Sequence, residues 1–354
     1  DIIEHNPAVL DFLTEPMVFK KPSTKKELER IFQYLREELE LPKALATLYE
    51  MEIFRIGAQD LLELKTQQQI AYNLSILAET ILFQAWREFF DKPREDFALI
   101  FFGKLGGREL SYHSDLDLLI IAREENYESI HYLTTVLQKV IKAVKGIYEV
   151  DLRLRPGGKN APAVLSFSAF QKYLNEKAEP WEKLIYSRAR IYANNISFRS
   201  TVKGAVDQFI RISSSDFKFK IIEMRDKIAK AFPPSDFKKG PGGIIDIEFI
   251  LEYFKIQEQK NQLNLYHLFK KLKKHSGLSA LDLDNLLDCL HFLRELENAI
   301  RLLSNHYSSK LPENSLDLRL ISLKMGFRTL ESFTAKYEEV RGAIRLIWER
   351  FSAI

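Results

Sequence analysis

The sequence predicts a mostly helical α+β protein, in which a small mixed sheet with helices is flanked by an N-terminal helical segment and a C-terminal helical bundle. Three observations predict it. Residues 1–92 and the chain beyond Pro233-Pro234 place apolar residues at helical spacing. Between them, Phe97–Phe102 and Leu116–Ile121 are short apolar runs, interrupted only by Asp117, as in strands buried on both faces. A third run, Tyr148–Leu154, sets Val150, Leu152 and Leu154 against Asp151, Arg153 and Arg155 with the period of a strand. These patterns divide the 354 residues into segments 1–92, 93–235 and 236–354.

Taken in order, Thr24-Lys25-Lys26-Glu27 is a capping box opening a helix that carries Leu28, Ile31, Leu35 and Leu39, and Pro42 closes it. Two more helices follow. In the second, Ile70, Leu74, Leu77, Ile81 and Ala85 form a stripe suited to one packed face. Gly103 ends the first strand, a helix fills Glu128–Val144, and Pro156-Gly157-Gly158 turns the chain away after the third strand, giving an α/β unit at roughly 93–200. Near the C-terminus, Leu283, Leu286, Leu287, Leu290, Leu293, Leu296, Ile300 and Leu303 make a stripe of about six turns, read as bundle packing rather than a coiled coil.

Composition narrows the function. With 46% hydrophobic and 29% charged residues the chain is an ordinary globular one. A net charge of +3, from 52 basic and 49 acidic side chains, supplies no global field for nucleic acid or an anionic membrane, so any anion site is local. The single cysteine, Cys289, excludes disulfides and cysteine metal sites within the chain and makes a cytoplasmic location the default. No apolar run reaches the ~18 residues of a membrane span, and the N-terminus lacks the basic and apolar regions of a signal peptide. The chain begins at Asp1 rather than Met, as a piece of a longer polypeptide would.

The chemistry concentrates between Phe102 and Ile121, where a glycine-rich turn, Gly103-Lys104-Leu105-Gly106-Gly107, is followed by a strand opening on Asp115-Leu116-Asp117. Side chains alternate along a strand, so the two carboxylates share a face. Two such carboxylates repel unless a cation lies between them, and Mg²⁺ is the hard ion that prefers carboxylates with phosphate oxygens. Alone, an acidic strand start merely reaches solvent; a glycine turn that lets backbone approach a polyphosphate makes it a site. Asp151, Arg153 and Arg155 share one face of the third strand, so that one carboxylate can complete a two-metal site while the two arginines hold phosphate oxygens. By itself that segment reads equally well as a solvated strand face. The pairing decides it: carboxylates on adjacent strands beside cations are what in-line nucleotidyl transfer requires.

On these residues the chain resembles the nucleotidyltransferase superfamily of DNA polymerase β. More closely, GKLGGREL…SDLDL, DLRLRP and GPGGIIDIEF resemble the bacterial glutamine synthetase adenylyltransferase/adenylyl-removing enzyme, as do the lead-in HNPAVLDFL and MEIFRIGAQDLLE. The resemblance implies a polymerase β-like nucleotidyltransferase domain at 93–235, with Asp115, Asp117 and Asp151 as metal ligands for two Mg²⁺ ions. Gly103, Gly106, Gly107 and Ser114 would cradle the triphosphate of ATP. Lys104 stands where a serine often follows the first glycine, so an ammonium contact replaces a hydroxyl one there. The partners implied are glutamine synthetase and a PII-type nitrogen signalling protein.

Asp246 and Glu248, two apart in a helix, do not share a face, and spacing alone makes them structural; the resemblance turns them toward the nucleotide. In Tyr186-Ser187-Arg188-Ala189-Arg190, Arg188 is placed to reach nucleotide phosphate, while Trp181 is a core residue and His113 a surface loop residue. No P-loop, dinucleotide or zincin motif occurs. The family enzyme has an AMP-attaching half and a phosphorolytic, AMP-removing half. DIEF and SDLDL look more like the first, DLRLRP at least as close to the second, and the cations Lys104, Arg108, Arg153 and Arg155 near the turn favour attachment. A stand-alone nucleotidyltransferase on RNA or a small molecule lacks a basic aromatic groove here, and a silent regulatory half is at odds with three intact acids.

Overall fold

The computed structural model describes residues 24–92, 96–158, 161–211, 216–272, 278–303 and 308–353; the lead-in HNPAVLDFL lies outside them. Contacts group the chain into two compact units, Asp1–Lys177 with Arg190–Ala205, and Ala178–Ala189 with Val206–Ile354. The N-terminal helices, set apart by sequence pattern, fall in the same unit as the sheet.

In the first unit, helix α1 (Lys25–Glu38) is opened by the expected capping box, with Thr24 Oγ accepting from the Glu27 N–H and Glu27 accepting from the Thr24 N–H. Pro42 sits in the first turn of α2 (Leu41–Leu61), where its missing N–H costs nothing. Helix α3 (Gln67–Phe89) departs from its one-stripe pattern. Every residue from Ile70 to Trp86 except Tyr72 is buried, because α3 packs against α1, α2 and the helix α5 (Tyr127–Val144). Its polar residues are thereby enclosed: Ser75 and Thr80 hydroxyls bond carbonyls one turn back, and Glu79 is 2% exposed.

The sheet is mixed and five-stranded, in the order β3-β2-β1-β5, with β4 also on β2. Strand β1 (Phe97–Phe101) lies antiparallel to β2 (Leu116–Ala122) and to β5 (Arg190–Ala193). Strands β3 (Val150–Asp151) and β4 (Val164–Ser166) both run parallel to β2, one at its start and one at its end. All of β1 is buried, and so is all of β2 except Asp117, as the apolar runs require. Between β1 and β2 the glycine turn forms a single helical turn, α4 (Gly103–Gly107). Helix α6 (Phe167–Glu176) follows β4, capped by the Ser166 hydroxyl.

The third strand is shorter than its alternation implies. Pairing stops at Asp151, because the Asp151 carboxylate accepts the Arg153 N–H at 2.7 Å and pulls the chain into a turn. Further turns follow, from the Arg155 N–H to Leu152 O and from the Gly158 N–H to Arg155 O. Arg153 and Arg155 therefore do not continue a strand face with Asp151.

The second unit is helical. It holds α7 (Glu182–Ser187), α9 (Phe217–Ala231), α10 (Ile244–Gln257), α11 (Leu265–Leu272), α12 (Ala280–Leu303), α13 (Ser315–Lys324) and α14 (Leu330–Ala353). Helix α8 (Ile196–Arg211) runs through the boundary between the units. The α12 stripe is buried at Leu283, Leu286, Leu290, Leu293, Leu296 and Ile300, and Leu287 and Leu303 are partly buried against the same cluster. Trp181 is half-buried at the start of α7 rather than in a core. Burial pushes the Cys289 thiol up to about 11, which keeps it a protonated packing residue. Among the described residues, no helix is long and apolar enough to cross a membrane.

Candidate active site

The site grows from the register of β2 and β3. Asp117 pairs with Asp151 across the parallel ladder, so the two carboxylates stand side by side. Asp115, two residues before Asp117 and just ahead of the strand, is exposed, and its charge reaches Arg153. Above them lies α4: the Phe102 N–H donates to Asp117 O at 3.0 Å, and a Cβ on Gly103 would meet Asp117 Oδ2 at 3.3 Å. Gly103 also has φ +52°, a left-handed conformation that disfavours any side chain. The glycine is thus fixed by both backbone angle and carboxylate contact.

The loop after α4 is built from hydroxyls and buried acids. Lys104 Nζ donates to Ser111 Oγ at 2.6 Å, and the Ser111 N–H donates to Ser114 Oγ at 3.1 Å. Tyr112 OH donates to Asp60 Oδ2 at 3.0 Å, and burial, reinforced by that carboxylate, pushes the phenol well above its ordinary value. His113 is half-buried with φ +50° in this loop.

Arg153 dominates the electrostatics. Its guanidinium grips Asp151 Oδ2 through Nε at 2.7 Å and Nη2 at 2.5 Å, and Asp115 and Asp117 add to its field. Burial would raise the Asp151 carboxyl; the hydrogen bonds from Arg153, with the charges of Arg153 and Arg155, outweigh it and hold the group below the usual carboxylate range. Arg155 instead braces its own loop, donating to Ala161 O at 2.9 Å and Leu152 O at 3.1 Å. Among the described residues, no three His, Cys, Asp or Glu side chains converge as a metal cluster. The donor set nevertheless fits Mg²⁺: carboxylates only, two of them in register, with Asp151 held by a guanidinium whose side chain is 65% exposed.

Behind α4 lies a charged cluster that motif reading missed. Glu79 accepts from Arg108 Nε at 2.9 Å and Nη2 at 3.0 Å, and from Arg190 Nη2 at 2.6 Å. The signal was a single carboxylate in the apolar helix Ile-Leu-Ala-Glu-Thr-Ile-Leu-Phe, which must find a partner when buried.

Arg188, Asp246 and Glu248 belong to the second unit. Asp246 is 2% exposed. It pairs with Arg225 and accepts the N–H groups of Gly242 at 2.6 Å and Gly243 at 3.2 Å, closing the turn into α10. Glu248, on another face, accepts from Arg294 at 2.7 Å and from Arg188 at 3.4 Å. Arg188 also lies 3.6 Å from Glu252. The glycines of this motif serve close packing: a Cβ on Gly243 would lie 2.8 Å from three carbonyl oxygens.

Comparison with known proteins gives the same direction. The family model for glutamate-ammonia ligase adenylyltransferase matches residues 1–204, and that for GlnD PII-uridylyltransferase matches 216–352. Proteins named bifunctional glutamine synthetase adenylyltransferase/adenylyl-removing enzyme are similar along much of the chain. The one from Psychromonas ingrahamii is 26% identical over 88% of this chain and 37% of its own length. That from Nitrosomonas eutropha is 25% identical over 94% and 41%, and that from Bartonella henselae 30% over 72% and 29%. The chain thus spans well under half the length of these relatives.

Proposed function

The chain belongs to the glutamate-ammonia ligase adenylyltransferase family, and from that premise we propose that it transfers AMP from ATP to a tyrosine of glutamine synthetase, releasing pyrophosphate and lowering nitrogen assimilation in the cytoplasm. The observation that carries this reading is the register of Asp117 with Asp151, with Asp115 beside them and Gly103 against Asp117. In the transfer a bond forms between the tyrosyl oxygen and the α-phosphorus, the bond to the bridging oxygen breaks, and the phenolic proton passes to solvent. Two Mg²⁺ ions held by Asp115, Asp117 and Asp151 would neutralise phosphate charge. Gly103, Lys104, Gly106, Gly107 and Ser114 line the triphosphate, and Arg153 exchanges Asp151 for a phosphate oxygen. The match of residues 216–352 to a PII-uridylyltransferase model supports a nitrogen-signalling input, by a PII-type protein, through the helical unit.

One observation favours the phosphorolytic direction. Arg108 and Arg153, two of the four cations that argue for a long polyphosphate, are each neutralised by a carboxylate of the chain, Glu79 and Asp151. The deciding experiment incubates the chain with Mg²⁺, labelled ATP and unmodified glutamine synthetase, and separately with adenylylated glutamine synthetase and phosphate. Label on tyrosine with pyrophosphate released supports attachment. ADP from the second mixture alone assigns the removing half, and no reaction in either overturns the substrate.

A further inference from the structure

Arg190 opens β5 in register with Phe101, the last residue of β1, and its guanidinium lies over the Phe101 ring, 5.0 Å from the centroid. From there Nε donates to Gly106 O at 3.1 Å and Nη2 to Leu105 O at 2.9 Å. The same Nη2 donates to Glu79 Oε1, whose carboxylate also receives the fork of Arg108, the left-handed cap of α4. The turn therefore hangs between two arginines fastened to one buried acid on α3.

The arrangement answers a physical need. A helix of five residues cannot hold its own geometry, since nucleation costs more than its few hydrogen bonds return. Its last carbonyls need partners, and a guanidinium fork satisfies two at once with charge-assisted bonds. Lysine, a point donor on a flexible stem, cannot span both carbonyls and Glu79.

We infer that Arg190, anchored by Glu79, is the positioning residue that fixes the glycine turn for the triphosphate; this rests on the nucleotidyltransferase reading of Asp115, Asp117 and Asp151. Of the two arginines in the Arg188-Ala189-Arg190 motif, it is the second that serves the nucleotide, and it does so without touching it.

The test compares the chain with its Arg190→Lys and Glu79→Gln variants by Mg²⁺-dependent ATP binding, turnover at saturating ATP, urea unfolding and amide exchange over residues 103–107. Arg190→Lys should weaken ATP binding about tenfold, the scale of one charge-assisted fork. It should speed exchange in the turn while turnover at saturating ATP stays within about threefold and ATP KM rises. Glu79→Gln should act in the same direction, and the double variant should lose no more than the worse single one. Unchanged ATP affinity in a folded Arg190→Lys, with the unsubstituted chain binding normally, overturns the inference alone. If only the urea midpoint falls, or neither variant folds, the cluster is structural and the inference is overturned. No Mg²⁺-dependent ATP binding by the unsubstituted chain overturns the nucleotidyltransferase reading first and the inference with it.

Discussion

Two segments of this protein place glycines before a pair of acids two residues apart, and they use the same letters for different ends. In Asp115-Leu116-Asp117 the pair enters a strand, where a spacing of two returns a side chain to the same face. In Asp246-Ile247-Glu248 the pair lies in a helix, where two residues turn through about 200°. In the first, Asp117 stands in register with Asp151 on the neighbouring strand, and the charge of Asp115 joins theirs at Arg153. The second is split, Asp246 going to Arg225 and the glycine N–H groups, and Glu248 to Arg294 and Arg188. Their glycines differ likewise. Gly103 leaves room for a carboxylate, whereas Gly243 leaves room for neighbouring carbonyls. Period, and not spacing alone, decides which acids share a face.

The sharpest way to break this comparison is through stability. Asp246→Ala leaves the Arg225 guanidinium buried without its carboxylate, and removing one partner of a buried pair costs about 3–5 kcal/mol. Urea unfolding should show that loss. A stable Asp246→Ala variant with abolished turnover would instead move this acid into the reaction and undo the contrast.

For the strand pair the effects invert. Asp117→Asn and Asp115→Asn should each lower turnover by about 10²–10³-fold, the scale of removing one group that stabilises transition-state charge, with urea midpoints close to that of the unsubstituted chain. Asp115 is exposed and Asp117 only half-buried, so neither carboxylate is a packing element. A stability loss in place of a turnover loss would make the two motifs alike.

Gly103→Ala comes next. The left-handed backbone costs a non-glycine residue about 1–2 kcal/mol, and the added methyl presses on Asp117 Oδ2. Turnover should fall about tenfold. Gly158→Ala is the control: it also has positive φ, but a Cβ there would meet nothing within 4 Å, so it should show strain and leave turnover in place.

Much of this was legible in the sequence because burial writes a clear pattern. The apolar runs of β1 and β2, the α1 capping box and the α12 stripe each follow from period and composition. What was not legible depended on side chains competing with the backbone. The alternation through Leu154 looked like a strand, but the Asp151 carboxylate captures the Arg153 N–H and ends it. The α3 stripe looked one-sided because its enclosed hydroxyls bond carbonyls one turn back, while Glu79 finds partners that lie far away in sequence. Arg190 could be singled out as a motif residue, yet its target is a pair of backbone carbonyls, which no spelling records.

The smallest effects separate the two arginines that follow Asp151. Arg153 is largely exposed, and exposed ion pairs contribute about 0–1 kcal/mol, so Arg153→Lys should leave the urea midpoint nearly unchanged. Its guanidinium nevertheless sits within the field of all three aspartates, where it can pass from carboxylate to phosphate. Lysine keeps the charge and loses the fork, a difference worth about 1 kcal/mol, or roughly fivefold in turnover. Arg155 spends its donors on Ala161 O and Leu152 O. Arg155→Lys should therefore loosen the loop, lowering the urea midpoint slightly, with turnover less affected than in Arg153→Lys. Paired measurements of turnover and unfolding on both variants check this. Equal and negligible turnover changes in the two would return the segment after Asp151 to the ordinary polar end of a strand, leaving the metal site to the aspartates alone.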